Sequence, residues 1–190
     1  MNTPGHSILN LAILGRIQQP TRNWAIFIGS WVPDAALFGF YLWAKLVGIP
    51  EAIIWRETYY DPTWQEVFAI GNSIPLALVG IGLCYWRKLP HLLALCSSML
   101  LHQLEDLPLH HDDAHRHFWP LSDYRFFSPV SYWDEDHFGR YGALAEMSLV
   151  LLASVVLWRR TRSRWGRGLL LGVNALYGLA YWTQYMGPHF

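Results

Sequence analysis

The sequence predicts an all-α protein: a polytopic transmembrane helical bundle with a short N-terminal helix packed antiparallel to the first span. Three observations predict it. Of 190 residues, 53% are hydrophobic and only 15% are charged, a balance leaner in charge than soluble domains carry. Apolar stretches of about twenty residues recur, the length a helix needs to cross the hydrocarbon layer. Eleven Trp and ten Tyr supply amphipathic rings that collect at membrane–water boundaries.

Taken in order, residues 3–17 read as a short separate helix. Thr3 suits its N-cap and Pro4 its first helical position, and Ile8, Leu11, Ala12 and Leu14 make an apolar stripe. Gln18-Gln19-Pro20-Thr21 reads as the turn that follows. About five spans are expected, at 23–47, 64–86, 89–106, 141–158 and 168–186. Pro33 and Pro75 inside them are compatible with helices of a membrane bundle. The stretch 89–106 is the shortest and ends in polar residues; it is read as spanning because that end is functional. Residues 1–7 lack Lys and Arg, and Ile8–Gly15 is interrupted by Asn10, so no secretory signal is read there. A single integral domain, 1–190, accounts for the chain, with the bilayer as its partner.

Charge predicts the orientation. Arg159, Arg160, Arg162, Arg164 and Arg167 fill one loop, Arg87-Lys88 a second turn, and Arg16 and Arg22 flank the first. The positive-inside rule puts these on the cytoplasmic side. Residues 48–63 and the long loop 107–139 then lie on the other. That loop carries Asp112, Asp113, Asp123, Asp134, Glu135 and Asp136 against Arg116 and Arg125, and its length calls for function or irregular packing. The formal net charge is zero, which argues against nucleic acid as a partner. Cys84 and Cys96 sit in apolar runs and read as core residues.

Polar chemistry is densest at 102–117, where nine of sixteen positions are His, Asp or Glu. His102 and Asp106 are one helical turn apart and share a face, and imidazole with carboxylate can ligate a divalent cation. Pro108 is expected to end that helix, so that His110 to His117 fold back over the pair. Ionisable groups at membrane depth are costly and mark function; a proton relay or a structural polar network are the other readings. Asp34, in Gly29-Ser-Trp-Val-Pro-Asp34, also needs a partner. Counted from Arg22 and Lys88, Asp34 and His102 both lie roughly 18–21 Å into the bilayer at the α-helical rise. His6, on the short helix running back from the same turn, reaches a similar level. His6, Asp34, His102 and Asp106 are therefore expected to converge in one layer.

These residues carry a family likeness. Thr3-Pro-Gly-His6-Ser7, Gly29-Ser-Trp-Val-Pro-Asp34, His102-xxx-Asp106 and Trp119-Pro120-Leu-Ser122 occur in that order. The chain resembles the YdjM-like predicted membrane-bound metal-dependent hydrolases and, more distantly, zinc-dependent phospholipase C and its nuclease relatives. The likeness covers about residues 3–128. It implies metal ligation by His6, Asp34, His102 and Asp106. The run 110–117 departs from the general pattern and reads as the mark of a separate subgroup, with His110, His115 or His117 as extra ligands.

The function so expected is metal-dependent hydrolysis of a lipid-like or phosphate ester, with zinc as the metal. Glu105 or Asp112 would serve as general base, and His115 or His117 as general acid. Arg116 or Arg125 would hold a phosphate. The aromatic run Tyr124–Trp133 reads as a lid, an interfacial anchor or loop packing. A metal or proton transporter, or a metal-sensing membrane protein, is the rival from another class. It needs polar groups from face to face, and the last two spans offer little beyond Glu146, Asn174 and Gln184.

Overall fold

The computed structural model describes residues 1–187. Its helices are α1 (Thr3–Leu14), α2 (Pro20–Gly29), α3 (Val32–Leu46), α4 (Glu51–Arg56), α5 (Pro62–Gly71), α6 (Ile74–Trp86), α7 (Pro90–Asp106), α8 (Gly139–Arg160) and α9 (Arg164–Tyr185). Short 3-10 turns occupy Thr58–Tyr60 and Glu135–His137, and no strand occurs among the described residues. Proline decides where most of these helices begin. α1, α2, α3, α5, α6 and α7 each carry it in their first two positions, where its missing N–H is one the helix could not pair anyway. Two boundaries differ from the sequence expectation for this reason. Pro20 opens α2 instead of closing a turn. Thr3 lies inside α1, with Asn2 at the N-cap, and its hydroxyl reaches Asp34.

Pro62–Trp86, at 25 residues, and α8, at 22, are long and apolar enough to cross a membrane. The pair α2 and α3, bent by 51°, makes a third if it crosses as one span. By length and apolarity the number is thus two or three, where about five were expected. α7 has only 17 residues and ends in polar side chains, and α9 opens on Arg164 and Arg167 and carries Asn174 and Gln184. The outer surfaces are apolar even so. Leu78, Val79 and Leu83 of α6, Leu152 and Val155 of α8, and Leu169 and Leu176 of α9 are all exposed, as on helices whose outside meets lipid.

α1 runs through the middle of the molecule, antiparallel to α2. Ser7 pairs with Ser30 at 2.8 Å, and at the other end Asn23 accepts from the Arg16 backbone N–H at 3.0 Å. α7 lies parallel to α2. The Ser98 hydroxyl donates to the Ile26 carbonyl at 2.6 Å, and one turn on His102 meets Ser30. Gly29 permits this approach, because a Cβ there would collide with the Leu95 carbonyl. On its far side α1 packs through Ile8 and Leu9 against Val150 and Ala153 of α8. Phe40, Ile54, Tyr59 and Phe68 form a second core that joins α3, α4 and α5.

Candidate metal centre

Two broken helices prepare the centre. Pro33 cannot donate a backbone hydrogen bond, so α2 stops at Gly29 and the chain turns before α3 resumes. In that turn the Ser30 carbonyl, outside both helices, accepts from His102 Nδ1 at 2.8 Å. Pro75 does the same between α5 and α6. There the Gly71 carbonyl accepts from Gln103 Nε2 at 3.1 Å, and the Asn72 carbonyl from His117 Nδ1 at 3.0 Å. Unpaired backbone deep in a bundle must be satisfied by protein, and here it orients imidazoles.

His6, Asp34, His102 and Asp106 do meet at one level. The His6 and His102 rings stack with centroids 3.6 Å apart and planes 19° from parallel. His6 Nε2 lies 3.0 Å from Asp106 Oδ1. His102 Nε2 lies 3.0 Å from Asp106 Oδ2 and 3.5 Å from Asp34 Oδ1. One ligand atom each from His6, His102 and Asp106 falls within 4.8 Å of the other two, and all three residues are buried. Asp34 is held by Thr3, whose hydroxyl donates to Oδ2 at 2.5 Å.

His102 is set to meet a cation and not a hydrogen-bond partner. A carbonyl only accepts, so His102 Nδ1 carries a proton, and in the neutral tautomer the lone pair is on Nε2. Nε2 is buried and makes no hydrogen bond, although two carboxylate oxygens lie beside it. They are near enough but in the wrong direction for a ring N–H. Metal–ligand bonds of about 2.0–2.1 Å arranged tetrahedrally set ligand atoms roughly 3.3 Å apart. The spacings of 3.0 and 3.5 Å straddle that value. A His6/His102/Asp106 cluster that could hold a metal ion is therefore present.

The other expected residues divide into three groups. Glu105 lies behind His6, with Oε2 2.6 Å from Nδ1, where a carboxylate orients a ligating ring. His110 and His115 reach the centre's open side. His110 Nε2 is 3.2 Å from Asp106 Oδ1 and 3.0 Å from the Met1 amino group, which itself pairs with Asp106 at 2.7 Å. His110 Nδ1 is backed by Asp113 at 2.8 Å. Burial pushes His115 down to about 3, and repulsion from His110 and His117 adds to it; burial lowers His117 too. Both rings are thus held neutral, which suits a ligand more than a general acid or base. Asp112, Arg116 and Arg125 are not brought to the cluster. Asp112 is exposed beside His111. Arg116 pairs with Glu66 at 2.8 Å and Asp123 at 2.9 Å. Arg125 donates to the Ala114 carbonyl and to Gln65.

A cavity of about 550 Å³ opens onto the cluster. Asp34, Asp106, His110 and His115 are among its polar lining residues, and Trp55, Tyr59, Tyr60 and Tyr132 among its aromatic ones. Of the aromatic run, Tyr132 and Trp133 reach this wall, whereas Tyr124, Phe126 and Phe127 are exposed. Asp113 and Glu146 were not singled out from the sequence as parts of the site. Asp113 accepts from His110 and Trp133 Nε1. Glu146, buried on α8, accepts from the Asn2 backbone at 2.8 Å and the Tyr177 hydroxyl at 2.6 Å and so pins the start of α1. A lone carboxylate within an apolar span was the available signal for it.

Comparison with protein-family models, with curated proteins and with solved structures finds no match to this chain.

Proposed function

We propose that this chain is a membrane-bound metal-dependent hydrolase of a lipid-like or phosphate ester. Its divalent cation would be shared by His6, Asp34, His102 and Asp106. The observation that carries the reading is the buried, unbonded Nε2 of His102 between two carboxylates. Zinc is the ion best matched to two imidazoles with carboxylates. Bound there, it supplies a Lewis acid and lowers the pKa of a coordinated water toward ~7.

The chain's own residues do the positioning. The Ser30 carbonyl and Glu105 hold the two stacked rings from behind. His110, backed by Asp113, faces the same Asp106 oxygen as His6 and is the natural further ligand. His115, held neutral at the cavity edge, offers a ring nitrogen as a ligand or hydrogen-bond acceptor to a group entering there. The aromatic lining residues suit an apolar chain, and the carboxylates and imidazoles suit an ester headgroup. About five spans, with loop 107–139 opposite the Arg-rich loops, remain the topology we favour.

The test begins with zinc content of tag-free, detergent-purified protein, wild type beside His102→Ala and Asp106→Ala. Each variant is expected to hold about one equivalent less and to lose zinc-dependent release of product from phosphodiester and phospholipid substrates. Equal zinc in all three removes the reading. One feature favours a second reading, a metal transporter: both broken helices end beside the cluster, as transporter sites use discontinuous helices. Zinc entry into proteoliposomes without any ester product would select it.

A further inference from the structure

Loop 107–139 contains a second constellation that the buried centre does not use. His111 and His137, from opposite ends of the loop, stack with centroids 3.5 Å apart and planes 18° from parallel. Each ring is held from behind by its Nδ1. His111 Nδ1 donates to the Ser128 carbonyl at 2.6 Å, and His137 Nδ1 donates to Asp134 Oδ2 at 2.6 Å. Carbonyl and carboxylate only accept here, so Nδ1 bears the proton and Nε2 is the free ligand atom of each neutral ring.

The supports are themselves fixed. Ser128 is buried, its hydroxyl donates to the Pro108 carbonyl at 2.7 Å, and its backbone N–H donates to the His110 carbonyl at 3.0 Å. Asp134 Oδ1 accepts from the Asp136 backbone at 3.0 Å, and the His137 carbonyl accepts from the Ser131 backbone at 2.8 Å. Asp112 supplies a carboxylate, with Oδ1 3.6 Å from His111 Nε2. One ligand atom from each of His111, Asp112 and His137 lies within 4.8 Å of the other two. Among the described residues, neither Asp112 nor Asp134 pairs with Lys or Arg.

We propose that His111, Asp112 and His137 form a second divalent-cation site, taking zinc or an ion of similar borderline character, with water completing the shell. An Nδ1–H held by an outer carbonyl or carboxylate, with Nε2 left for the ion, is how metal-bound histidines are oriented. The site is solvent-accessible, with side-chain exposures of 25% and 31% for the two rings, so the ion enters from water and not through the cavity. Its role is structural. It clips the start of the loop to the turn at Glu135–His137 that leads into α8, and so fixes the Tyr132–Trp133 segment that walls the cavity. The proposal does not depend on the hydrolase reading.

The test uses the full chain, tag-free in detergent, with zinc alone as probe. In the His102→Ala/Asp106→Ala background the buried centre is silenced, and about one equivalent of zinc is expected to remain. Its X-ray absorption should require two imidazole nitrogens. Adding His111→Ala or His137→Ala should abolish that equivalent, and Asp134→Asn should weaken it about 10–100-fold. Wild type and His137→Ala provide a check on folding: zinc should slow proteolysis within loop 107–139 in the former and not in the latter. The proposal is overturned if His111→Ala and His137→Ala bind as much zinc as their parent. It is equally overturned if the remaining zinc shows no imidazole ligands.

Discussion

His102, His111 and His117 share one device. Each Nδ1 donates to a backbone carbonyl, of Ser30, Ser128 and Asn72 respectively, and the opposite nitrogen is thereby left as an acceptor. His115 has no such tie, and its state follows from burial. Its folded-state pKa of about 3 lies below the roughly 6.5 of an unfolded His. Between those values the unfolded chain binds the extra proton, so His115 contributes a loss of stability as pH falls through that window. In chelator, His115→Gln should therefore flatten the decline of Tm between about pH 7 and 5 relative to wild type. A parallel decline in the two proteins would mean that His115 titrates normally.

At the scale of elements, the breaks at Ser30–Trp31 and Asn72–Ser73 matter more than helix lengths. Both prolines are plain in the sequence and compatible with spans. What their spacing did not reveal is that the carbonyls they release would be used by His102, Gln103 and His117. That pairing depends on which helices become neighbours, and Gly29 against Leu95 settles this through three-dimensional packing. Pro33→Ala restores the missing N–H and lets α2 continue into α3. In a continuous helix the Ser30 carbonyl would accept from residue 34, leaving His102 Nδ1 without its anchor. Zinc affinity at the buried centre should fall about 10–100-fold, the usual loss when an outer partner goes, with helical content by circular dichroism unchanged. Full affinity in a folded variant would show that the Ser30 carbonyl does not orient His102.

Across the whole molecule, the convergence of His6, Asp34, His102 and Asp106 was legible because helical rise is constant and the three segments share one reference end. His111 with His137 was not, because an irregular loop has no period from which to compute a distance. The cavity wall was equally hidden, since Trp55, Tyr59 and Tyr132 come from segments with no common register. The shared reference end is also where the cations collect. Arg160 donates to the Ala12 carbonyl at the end of α1 at 2.8 Å, Arg87 lies over Trp86 at 4.8 Å, and Arg167 over Trp158 at 5.0 Å. Such Arg–Trp pairs suit a headgroup layer. The metal centre lies toward the other end of α1 and α7, with the acidic loop beyond it. If the Arg end faces the cytoplasm, Pro129, exposed in loop 107–139, and Arg162, exposed before α9, lie on opposite sides of the membrane. With Cys84 and Cys96 replaced by Ala, Pro129→Cys should react with an impermeant maleimide in intact cells. Arg162→Cys should react only after permeabilisation. The reverse pattern would turn the centre toward the cytoplasm and reassign its substrate to that side. Labelling of both in intact cells would show that the two loops share a face, contrary to the alternating spans.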